Sequence, residues 1–342
     1  MSAARLRTLI VAPSWIGDAV LSQPLLARLK NQSPDGAIDV LAPAWVLPVY
    51  RHMPEVADTI DSPFRHGELA LGARWRLARQ LAARGYRRCF VLPNSFKSAL
   101  LPWFARIPER IGYVGELRQP LLSDARRLDR VALPLMVERF AWLSQPREAP
   151  LARPLPAPRL IADAGARDAM LARLGLERPA RLACFCPGAE YGPAKRWPER
   201  YFAELARRLA AEGYAIWLLG SARDRPVADS IAAGSDGLAR NLCGATTLTD
   251  AILTLAGADL VVTNDSGLMH VAAAFDRPML AIFGSSSPGF TPPLSPAAQV
   301  ARLDLPCSPC FQRVCPLGHF NCMIRLTPEQ VHQRIRALDT AP

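Results

Sequence analysis

The stretch LRTLIVAPSWIGDAVLSQPLLARLK, residues 6–30, decides the fold class. Its apolar run Leu6–Ala12 has the length and composition of a buried strand, and the amphipathic run Ala19–Lys30 has helical spacing. A strand that passes through a short turn into a helix is the repeating unit of parallel sheets. Residues 6–30 therefore predict an α/β protein.

The same alternation continues along the whole chain. In the first half, apolar runs predict strands at Ala37–Ala42 and Arg88–Leu92, and helical spacing predicts a helix over Leu69–Arg84. The strands predicted in the second half are Leu182–Cys186, Ala215–Leu219, Leu260–Thr263 and Pro278–Phe283. The helices predicted there are Glu199–Glu212, Arg223–Ala233, Leu248–Ala256, Ser266–Phe275 and a last helix that begins at Pro328 after the N-cap Thr327. Both halves are therefore expected to be doubly wound.

A chain of 342 residues is too long for one ordinary core and long enough for two. Between the two halves, Ser144–Leu160 carries five prolines, which remove amide donors and prevent a regular helix. This composition predicts a stiff linker. We expect an N-terminal domain over residues 1–150 and a C-terminal domain over residues 151–342, with the last helix, residues 328–340, able to pack back on the N-terminal domain.

The net charge of +11 is unevenly distributed. Residues 1–150 carry 21 Lys and Arg against 13 Asp and Glu, a net charge of +8, and the rest of the chain carries +3. One interpretation of this excess is an anionic partner, which could be a membrane surface, a phosphorylated substrate or nucleic acid. The other is a solvated Arg-rich surface without such a partner. Basic and aromatic residues are not interleaved as in a stacking platform, so no nucleic-acid partner is expected.

No apolar run reaches the roughly 18–20 residues that are needed to cross a bilayer. The apolar run near the N-terminus stops at Pro13, too soon for a signal peptide. We interpret this run as the first strand of a cytosolic protein.

The turn after the first predicted strand carries a carboxylate, Asp18, where the following helix begins. Ligands of doubly wound sheets bind at the carboxyl ends of the strands, so Asp18 is a candidate catalytic residue. The alternative is that Asp18 only caps the helix. The chain contains neither G-x-G-x-x-G nor G-x-x-x-x-G-K-[ST], so ordinary dinucleotide and P-loop sites lack support.

A polar loop, PGAEYGPAKRWP at residues 187–198, follows the predicted strand Leu182–Cys186. Gly188 and Gly192 expose backbone amides, and Lys195 stands with Arg196 beside the N-terminus of the next helix. Amides, a helix dipole and fixed cations together suit a diphosphate. The alternative is an ordinary surface loop.

A second polar turn, TNDSGLMH at residues 263–270, follows another predicted strand. Asp265 can accept hydrogen bonds from sugar hydroxyls, and Ser266 and Gly267 can offer amides to phosphate oxygens. His270 lies about one helical turn after Ser266 and can face the same cleft. The alternative is a turn that only caps the helix, with a histidine whose hydrogen bonds are made within the protein. Together with the loop at residues 187–198, however, this turn favours a nucleotide-sugar site.

Four of the eight cysteines lie close together, with the spacing C-x2-C-x4-C-x6-C and His319 among them. They are Cys307, Cys310, Cys315 and Cys322. A structural zinc site is one interpretation, and free thiols or a disulfide formed after purification are the others, because the spacing differs from the usual two-pair ribbon. We expect a structural segment that lies beyond the candidate motifs, and no metal among the site residues.

Taken together, these motifs resemble glycosyltransferase family 9, the ADP-heptose:lipopolysaccharide heptosyltransferases of GT-B fold. The resemblance extends over nearly the whole chain and is carried by Ala12–Asp18 with Ser22-Gln23, Leu92–Ala99, Pro187–Glu190, Gly192–Pro198 and Thr263–His270. It implies two Rossmann-like domains that face each other across a cleft, with the acceptor on the N-terminal domain and ADP-heptose on the C-terminal domain.

The resemblance implies transfer of L-glycero-D-manno-heptose from ADP-heptose to the first heptose of the Kdo–lipid A inner core, and we hypothesise inversion. It implies a cytoplasmic enzyme with peripheral contact to the inner face of the inner membrane. No cofactor is expected to be required, and Mg²⁺ would at most stimulate.

By the same resemblance, Asp18 is the catalytic residue, Lys195 contacts phosphate and Asp265 contacts the sugar. The donor-binding set is Gly188, Glu190, Lys195, Asp265, Ser266, Gly267 and His270. Relatives that act on the first heptose place small hydroxyl residues where this chain has Glu190 and Tyr191. We therefore expect Glu190 to meet a hydroxyl or a cation rather than phosphate.

Two other classes of function remain open from the sequence, because one fold hosts many reactions. The first is a nucleotide-sugar epimerase or hydrolase, which needs no acceptor surface. The second is a non-catalytic protein that binds nucleotide-sugar or nucleic acid.

Overall fold

The computed structural model describes residues 6–64 and 67–339. The chain divides into two compact units at Arg159–Leu160. This division lies within the predicted linker and after the predicted boundary at residue 150. Residues 144–160 form neither helix nor strand, which agrees with their proline content.

The first unit is built on six strands, β1 (Arg7–Val11), β2 (Ala37–Ala42), β3 (Val56–Asp61), β4 (Arg88–Val91), β5 (Glu109–Tyr113) and β6 (Asp124–Arg126). Its α-helices are α1 (Ile16–Leu21), α2 (Gln23–Gln32), α3 (Leu47–Arg51), α4 (Leu71–Ala83), α5 (Phe96–Phe104) and α6 (Met136–Trp142). The strands form one parallel sheet in the order β3-β2-β1-β4-β5-β6.

The predicted helix Ala19–Lys30 is two helices, and the first begins earlier, at Ile16. The helix breaks at Ser22 because Pro24 has no amide hydrogen to donate to the carbonyl one turn back. The Ser22 hydroxyl donates to the carbonyl of Ala19 at 2.7 Å. The break leaves α1 as a helix of six residues.

The second unit is built on six strands, β7 (Leu182–Cys186), β8 (Ala215–Leu218), β9 (Ala239–Asn241), β10 (Leu260–Asn264), β11 (Met279–Ile282) and β12 (Ala298–Ala301). Its α-helices are α7 (Ala164–Arg173), α8 (Glu199–Ala211), α9 (Arg225–Gly234), α10 (Leu248–Ala256), α11 (Gly267–Ala273), α12 (Asn321–Ile324) and α13 (Pro328–Asp339). The strands form one parallel sheet in the order β12-β11-β10-β7-β8-β9.

The two sheets have the same topology. In each, the order from one edge is third, second, first, fourth, fifth and sixth strand of the unit. The strand order reverses beside the first strand, between β1 and β4 in one unit and between β7 and β10 in the other. The predicted α/β class with two doubly wound sheets is confirmed, and ligands of this fold bind at the carboxyl ends of these strands.

The core of the second unit fixes the loop after β7. Phe185 on β7 is fully buried and packs on Phe202 of α8, with ring centroids 5.7 Å apart. Trp197, at the end of the loop, is also buried and meets Phe202 edge to face at 4.9 Å. Truncation of a buried aromatic residue such as Phe185 to Ala costs about 3–5 kcal/mol, so this packing anchors both ends of the loop.

The last helix begins as the sequence predicts. The Gln330 amide donates to the Thr327 hydroxyl at 3.3 Å, and the Thr327 amide donates to the Gln330 side chain at 2.9 Å. Val331 and Ile335 are buried in the core of the second unit, where α13 packs on α8, β11 and β12. The predicted end of this helix at residue 340 lies outside the described residues.

Within residues 6–64 and 67–339, no helix is both long enough and apolar enough to span a bilayer.

Candidate active site

Asp18 is the third residue of α1 and lies just beyond the carboxyl end of β1. The alternative of a simple cap is wrong, since Trp15 is the N-cap of this helix and makes no side-chain bond. In the described part of the chain, no group donates a hydrogen bond to the Asp18 carboxylate. Burial raises the pKa of Asp18 from its usual value of 3.8 to about 6. A carboxylate with such a pKa is mostly ionised at pH 7 and accepts a proton readily.

Tyr50 lies close to Asp18. Its hydroxyl is 3.1 Å from the Ser22 hydroxyl, and the side chain is fully buried. Burial raises the pKa of Tyr50, and the negative charge of Asp18 raises it further. Tyr50 therefore stays protonated and leaves Asp18 as the base at this place. Sequence reasoning missed Tyr50, which lies on a different helix.

Lys195 and Asp265 form an ion pair at the carboxyl edge of the second sheet. Lys195 ends a 3₁₀ turn in the loop after β7, Asp265 follows β10, and these two strands are neighbours. Lys195 Nζ lies 2.5 Å from Asp265 Oδ2, and the side chains are only 17% and 5% exposed. An ion pair this buried is costly to break, because removal of one partner leaves the other charge without compensation.

Asn264 connects this pair to the loop at residues 187–198, which we call the phosphate loop. Its side chain donates to the Pro187 carbonyl at 2.7 Å and accepts from the Trp197 amide at 3.1 Å. Asn264 is fully buried, so each bond satisfies a group that has no access to water. The sequence motif contains Asn264, but its role in closing the phosphate loop was not predicted.

His270 lies on α11 beside the ion pair. Burial lowers the pKa of His270 to about 4. The negative charge of Asp265 raises this pKa, and the positive charge of Lys195 lowers it. The imidazole is therefore neutral at pH 7. Its Nδ1 is buried and has no hydrogen-bond partner among residues 6–64 and 67–339, an uncommon condition for a buried polar atom. His270 is thus close enough to Asp265 and Lys195 to feel the charge of both.

The helix α11 begins at Gly267 with Ser266 as its N-cap residue. The Ser266 hydroxyl lies 3.3 Å from the Thr263 hydroxyl and makes no cap bond. Because the first amides of a helix have no partner within it, Ser266 and Gly267 are placed where they can bind an anion.

Gly188 and Glu190 are tied to the turn after β8. Any side chain at Gly188 would collide with the Asp224 carboxylate, whose nearest oxygen would lie 2.5 Å from a Cβ atom. Glu190 pairs with Arg223 at 2.6 Å, and both side chains are largely exposed. The structure therefore places a cation beside Glu190.

The cysteine-rich segment, residues 307–322, lies beside the phosphate loop, not apart from it. Its four thiols are free and line, with His319 and Ser285, a cavity of about 20 Å³, room for one water or ion. Amides of the segment donate to the Cys315 sulphur, that of Phe320 at 3.4 Å, and lower the pKa of this thiol. Within the described residues, no three Cys, His, Asp or Glu side chains are arranged to hold a metal.

The structure thus brings Lys195, Asp265 and His270 together, with Ser266 and Gly267 next to them. Gly188 and Glu190 lie on the same loop as Lys195, where this loop contacts the turn after β8. Asp18 belongs to the other unit, at the equivalent position of its sheet. The sequence did not predict that this loop contacts the cysteine-rich segment more than 100 residues away, through Tyr191 and the carbonyl of Arg313.

Known proteins resemble this chain over nearly its full length. The model of glycosyltransferase family 9 (heptosyltransferase) matches residues 74–321. Lipopolysaccharide heptosyltransferase 2 of Salmonella typhimurium is 45% identical, over 97% of this chain and 98% of that protein. Lipooligosaccharide heptosyltransferase 2 of Haemophilus influenzae is 44% identical, over 86% of this chain and 88% of that protein.

The fold agrees with a solved relative. The structure of E. coli ADP-heptose LPS heptosyltransferase II superposes with a TM-score of 0.88 at 42% identity, and covers 97% of this chain and 98% of that one. The expectation of a GT-B fold is confirmed by this match. The extent of the family match and the identity to its members lead to one conclusion: the chain is a transferase that belongs to glycosyltransferase family 9, the heptosyltransferases.

Proposed function

We propose that this heptosyltransferase moves L-glycero-D-manno-heptose from ADP-heptose to the first heptose of the Kdo–lipid A inner core. The names of the relatives, lipopolysaccharide and lipooligosaccharide heptosyltransferase 2, support this substrate class. The observation that carries the proposal is the buried Lys195–Asp265 pair at the carboxyl edge of the second sheet. A cation and a sugar-binding carboxylate held together suit a nucleotide-sugar at its diphosphate and its sugar.

In this proposal, the C-terminal unit binds the donor. Asp265 accepts hydrogen bonds from heptose hydroxyls, and Lys195 contacts the diphosphate. The amides of Ser266 and Gly267 face the same anion. His270 is neutral, so its Nδ1 forms a hydrogen bond with a heptose hydroxyl and adds no positive charge to the donor site.

Asp18 is the proposed general base, and the N-terminal unit binds the acceptor. The Asp18 carboxylate takes the proton of an acceptor hydroxyl while that oxygen attacks the anomeric carbon. The bond from the anomeric carbon to the diphosphate oxygen breaks on the opposite face, so the configuration inverts. The raised pKa of Asp18, about 6, supports this role because it lies near the working pH.

Departure of ADP places negative charge on the diphosphate. Lys195 and the amides at the start of α11 offset that charge, which grows in the transition state. Fixed cations and amides of this kind allow the reaction to proceed with no required cofactor. Mg²⁺ would at most assist by binding the same phosphate oxygens.

The proposed acceptor also explains the uneven charge. Kdo–lipid A carries phosphates and carboxylates, and residues 1–150 carry a net charge of +8. We place the reaction at the cytoplasmic face of the inner membrane, with peripheral contact to the lipid surface and no nucleic-acid partner.

The test is incubation with ADP-heptose and, in separate reactions, Kdo–lipid A that carries zero or one heptose. Mass spectrometry of the lipid product should show one added heptose only on the acceptor that already has one. Addition to the heptose-free acceptor alone would contradict the assigned acceptor. ADP release at the same rate without any acceptor would instead indicate a hydrolase.

A further inference from the structure

The backbone of Arg313 is fixed against the phosphate loop. The Ala194 amide donates to the Arg313 carbonyl at 3.0 Å. A Cβ atom at Gly192 would collide with that carbonyl, so only glycine permits this approach. The cysteine-rich segment therefore presents Arg313 next to the turn that ends in Lys195.

Tyr191 holds two cations against its ring. Its hydroxyl donates to the Phe311 carbonyl at 2.8 Å, which fixes the ring to the cysteine-rich segment. Lys195 Nζ and Arg313 Cζ each lie 5.2 Å from the ring centroid. Cations within about 6 Å of an aromatic centroid are attracted to the ring face. Tyr191 thus gathers positive charge from two separate segments at one place.

The two cations differ in how their charge is balanced. Asp265 compensates Lys195 at 2.5 Å. Arg313 is exposed, and no carboxylate of the described residues pairs with it. The net charge of the Lys195–Asp265 pair is close to zero. The uncompensated positive charge beside the Tyr191 ring therefore belongs to Arg313. Such a charge attracts an anion to this place.

We propose that Arg313 is a further donor-binding residue, which contacts the diphosphate of the nucleotide-sugar, and that Tyr191 positions both Arg313 and Lys195. This inference rests on the proposed function, since it assigns a second cation to the same donor site. A guanidinium is planar and binds phosphate oxygens in pairs, a geometry that the ammonium of Lys195 does not offer. The donor site then has a net positive charge that the Lys195–Asp265 pair alone does not supply.

Titration calorimetry with ADP and with adenosine tests the inference. Arg313→Ala should weaken ADP binding about tenfold and leave adenosine binding unchanged, because only ADP carries the diphosphate. The ADP affinity of Arg313→Lys should lie between those of Arg313→Ala and the unaltered protein, because lysine keeps the charge and loses the paired contacts. Arg240→Ala is the matched control, since Arg240 is an exposed arginine on the edge strand β9, two strands away from β7. It should bind ADP like the unaltered protein.

A double-mutant cycle tests the positioning role of Tyr191. Tyr191→Leu should weaken ADP binding in the unaltered chain and weaken it much less when Arg313→Ala is already present. Tyr191→Phe keeps the ring but loses the bond to the Phe311 carbonyl, so it should lose less affinity than Tyr191→Leu. Full additivity of Tyr191→Leu and Arg313→Ala would overturn the positioning role.

The outcomes separate this inference from the proposed function. Unchanged ADP affinity in Arg313→Ala, in a protein that still transfers heptose, would overturn the inference alone. Equal losses for ADP and adenosine would also overturn it, because the residue would then be structural. A chain that neither bound ADP nor transferred heptose would refute the proposed function, and this inference with it.

Discussion

The residues after β1 and those after β7 occupy the same place in two sheets of equal topology, yet their electrostatics are opposite. After β1, Asp18 receives no hydrogen bond from the described residues, and its pKa is raised to about 6. After β7, Lys195 is paired with Asp265 at 2.5 Å in a nearly buried contact. Poor solvation with no hydrogen-bond donor lets Asp18 take up a proton near neutral pH, whereas Asp265 has a cation as its partner.

Under the proposed function, this difference lets one fold serve two purposes. The carboxyl edge of a doubly wound sheet provides a place for ligands, but the side chains there decide between chemistry and binding. The comparison predicts that substitutions in the two regions fail in different ways. Loss of Asp18 should affect turnover, and loss of Lys195 should affect the donor.

The largest effect is expected for Asp18→Asn. The amide cannot accept the proton of the attacking hydroxyl, so turnover should fall about 10²–10⁴-fold. Steady-state kinetics of heptose transfer at saturating donor and acceptor would measure this loss. Glu55→Gln is the matched control, because burial also raises the pKa of Glu55 in the same unit. A similar loss in both variants would show that any buried carboxylate there is needed for structure.

Lys195→Ala should have the next largest effect. It removes a charged contact to the diphosphate and leaves Asp265 buried without its partner, so the donor KM should rise about 10–100-fold. Lys30→Ala is the control among the three lysines, since the Lys30 ammonium donates to the Gly36 carbonyl, at 2.9 Å, and to no carboxylate of the described residues. A fall in turnover with an unchanged donor KM would refute the binding role of Lys195.

The pH dependence of kcat/KM should follow Asp18. Since the base must be ionised, kcat/KM should fall about tenfold per pH unit below a pKa of about 6. His270 should not contribute above pH 5, because its pKa is lowered to about 4. The profile should be measured from pH 5 to 8 in a single buffer system of constant ionic strength. A flat profile through pH 6 would contradict the assignment of the base.

The smallest effect is expected for Glu190→Gln. The Glu190 and Arg223 side chains are 52% and 81% exposed, and ion pairs so exposed contribute about 0–1 kcal/mol. The donor KM should therefore change less than about fivefold. Glu204→Gln, which removes the half-exposed pair with Arg208 on α8, provides the comparison. A loss as large as that of Lys195→Ala would show that Glu190 contacts the donor directly.

The central strands were predictable because strands buried on both faces are continuous apolar runs. β1, β7 and β10 are such runs, and each lies within a residue or two of its predicted bounds. The edge strands were missed for the opposite reason. β6 and β9 have only three residues each, and most of β3 is not buried, so apolar patterning does not reveal them.

The candidate site residues were selected in the turns and loops that follow predicted strands. Asp18 and Asp265 could be selected because each lies between a predicted strand and the helix that follows it or in the first turn of that helix. The 2.5 Å contact between Lys195 and Asp265 joins residues 70 positions apart, and no local pattern specifies it. Arg313 was missed because it lies in a segment without helix or strand, where its position depends on backbone bonds to the distant phosphate loop.

The division between catalysis and binding is tested most directly by one titration. ADP should be titrated into the unaltered protein, Asp18→Asn and Lys195→Ala under the same conditions. Asp18→Asn should bind ADP with a Kd within about twofold of the unaltered protein, while Lys195→Ala should bind at least about tenfold more weakly. Equal weakening in both variants would contradict the account, because Asp18 would then belong to the binding of the donor.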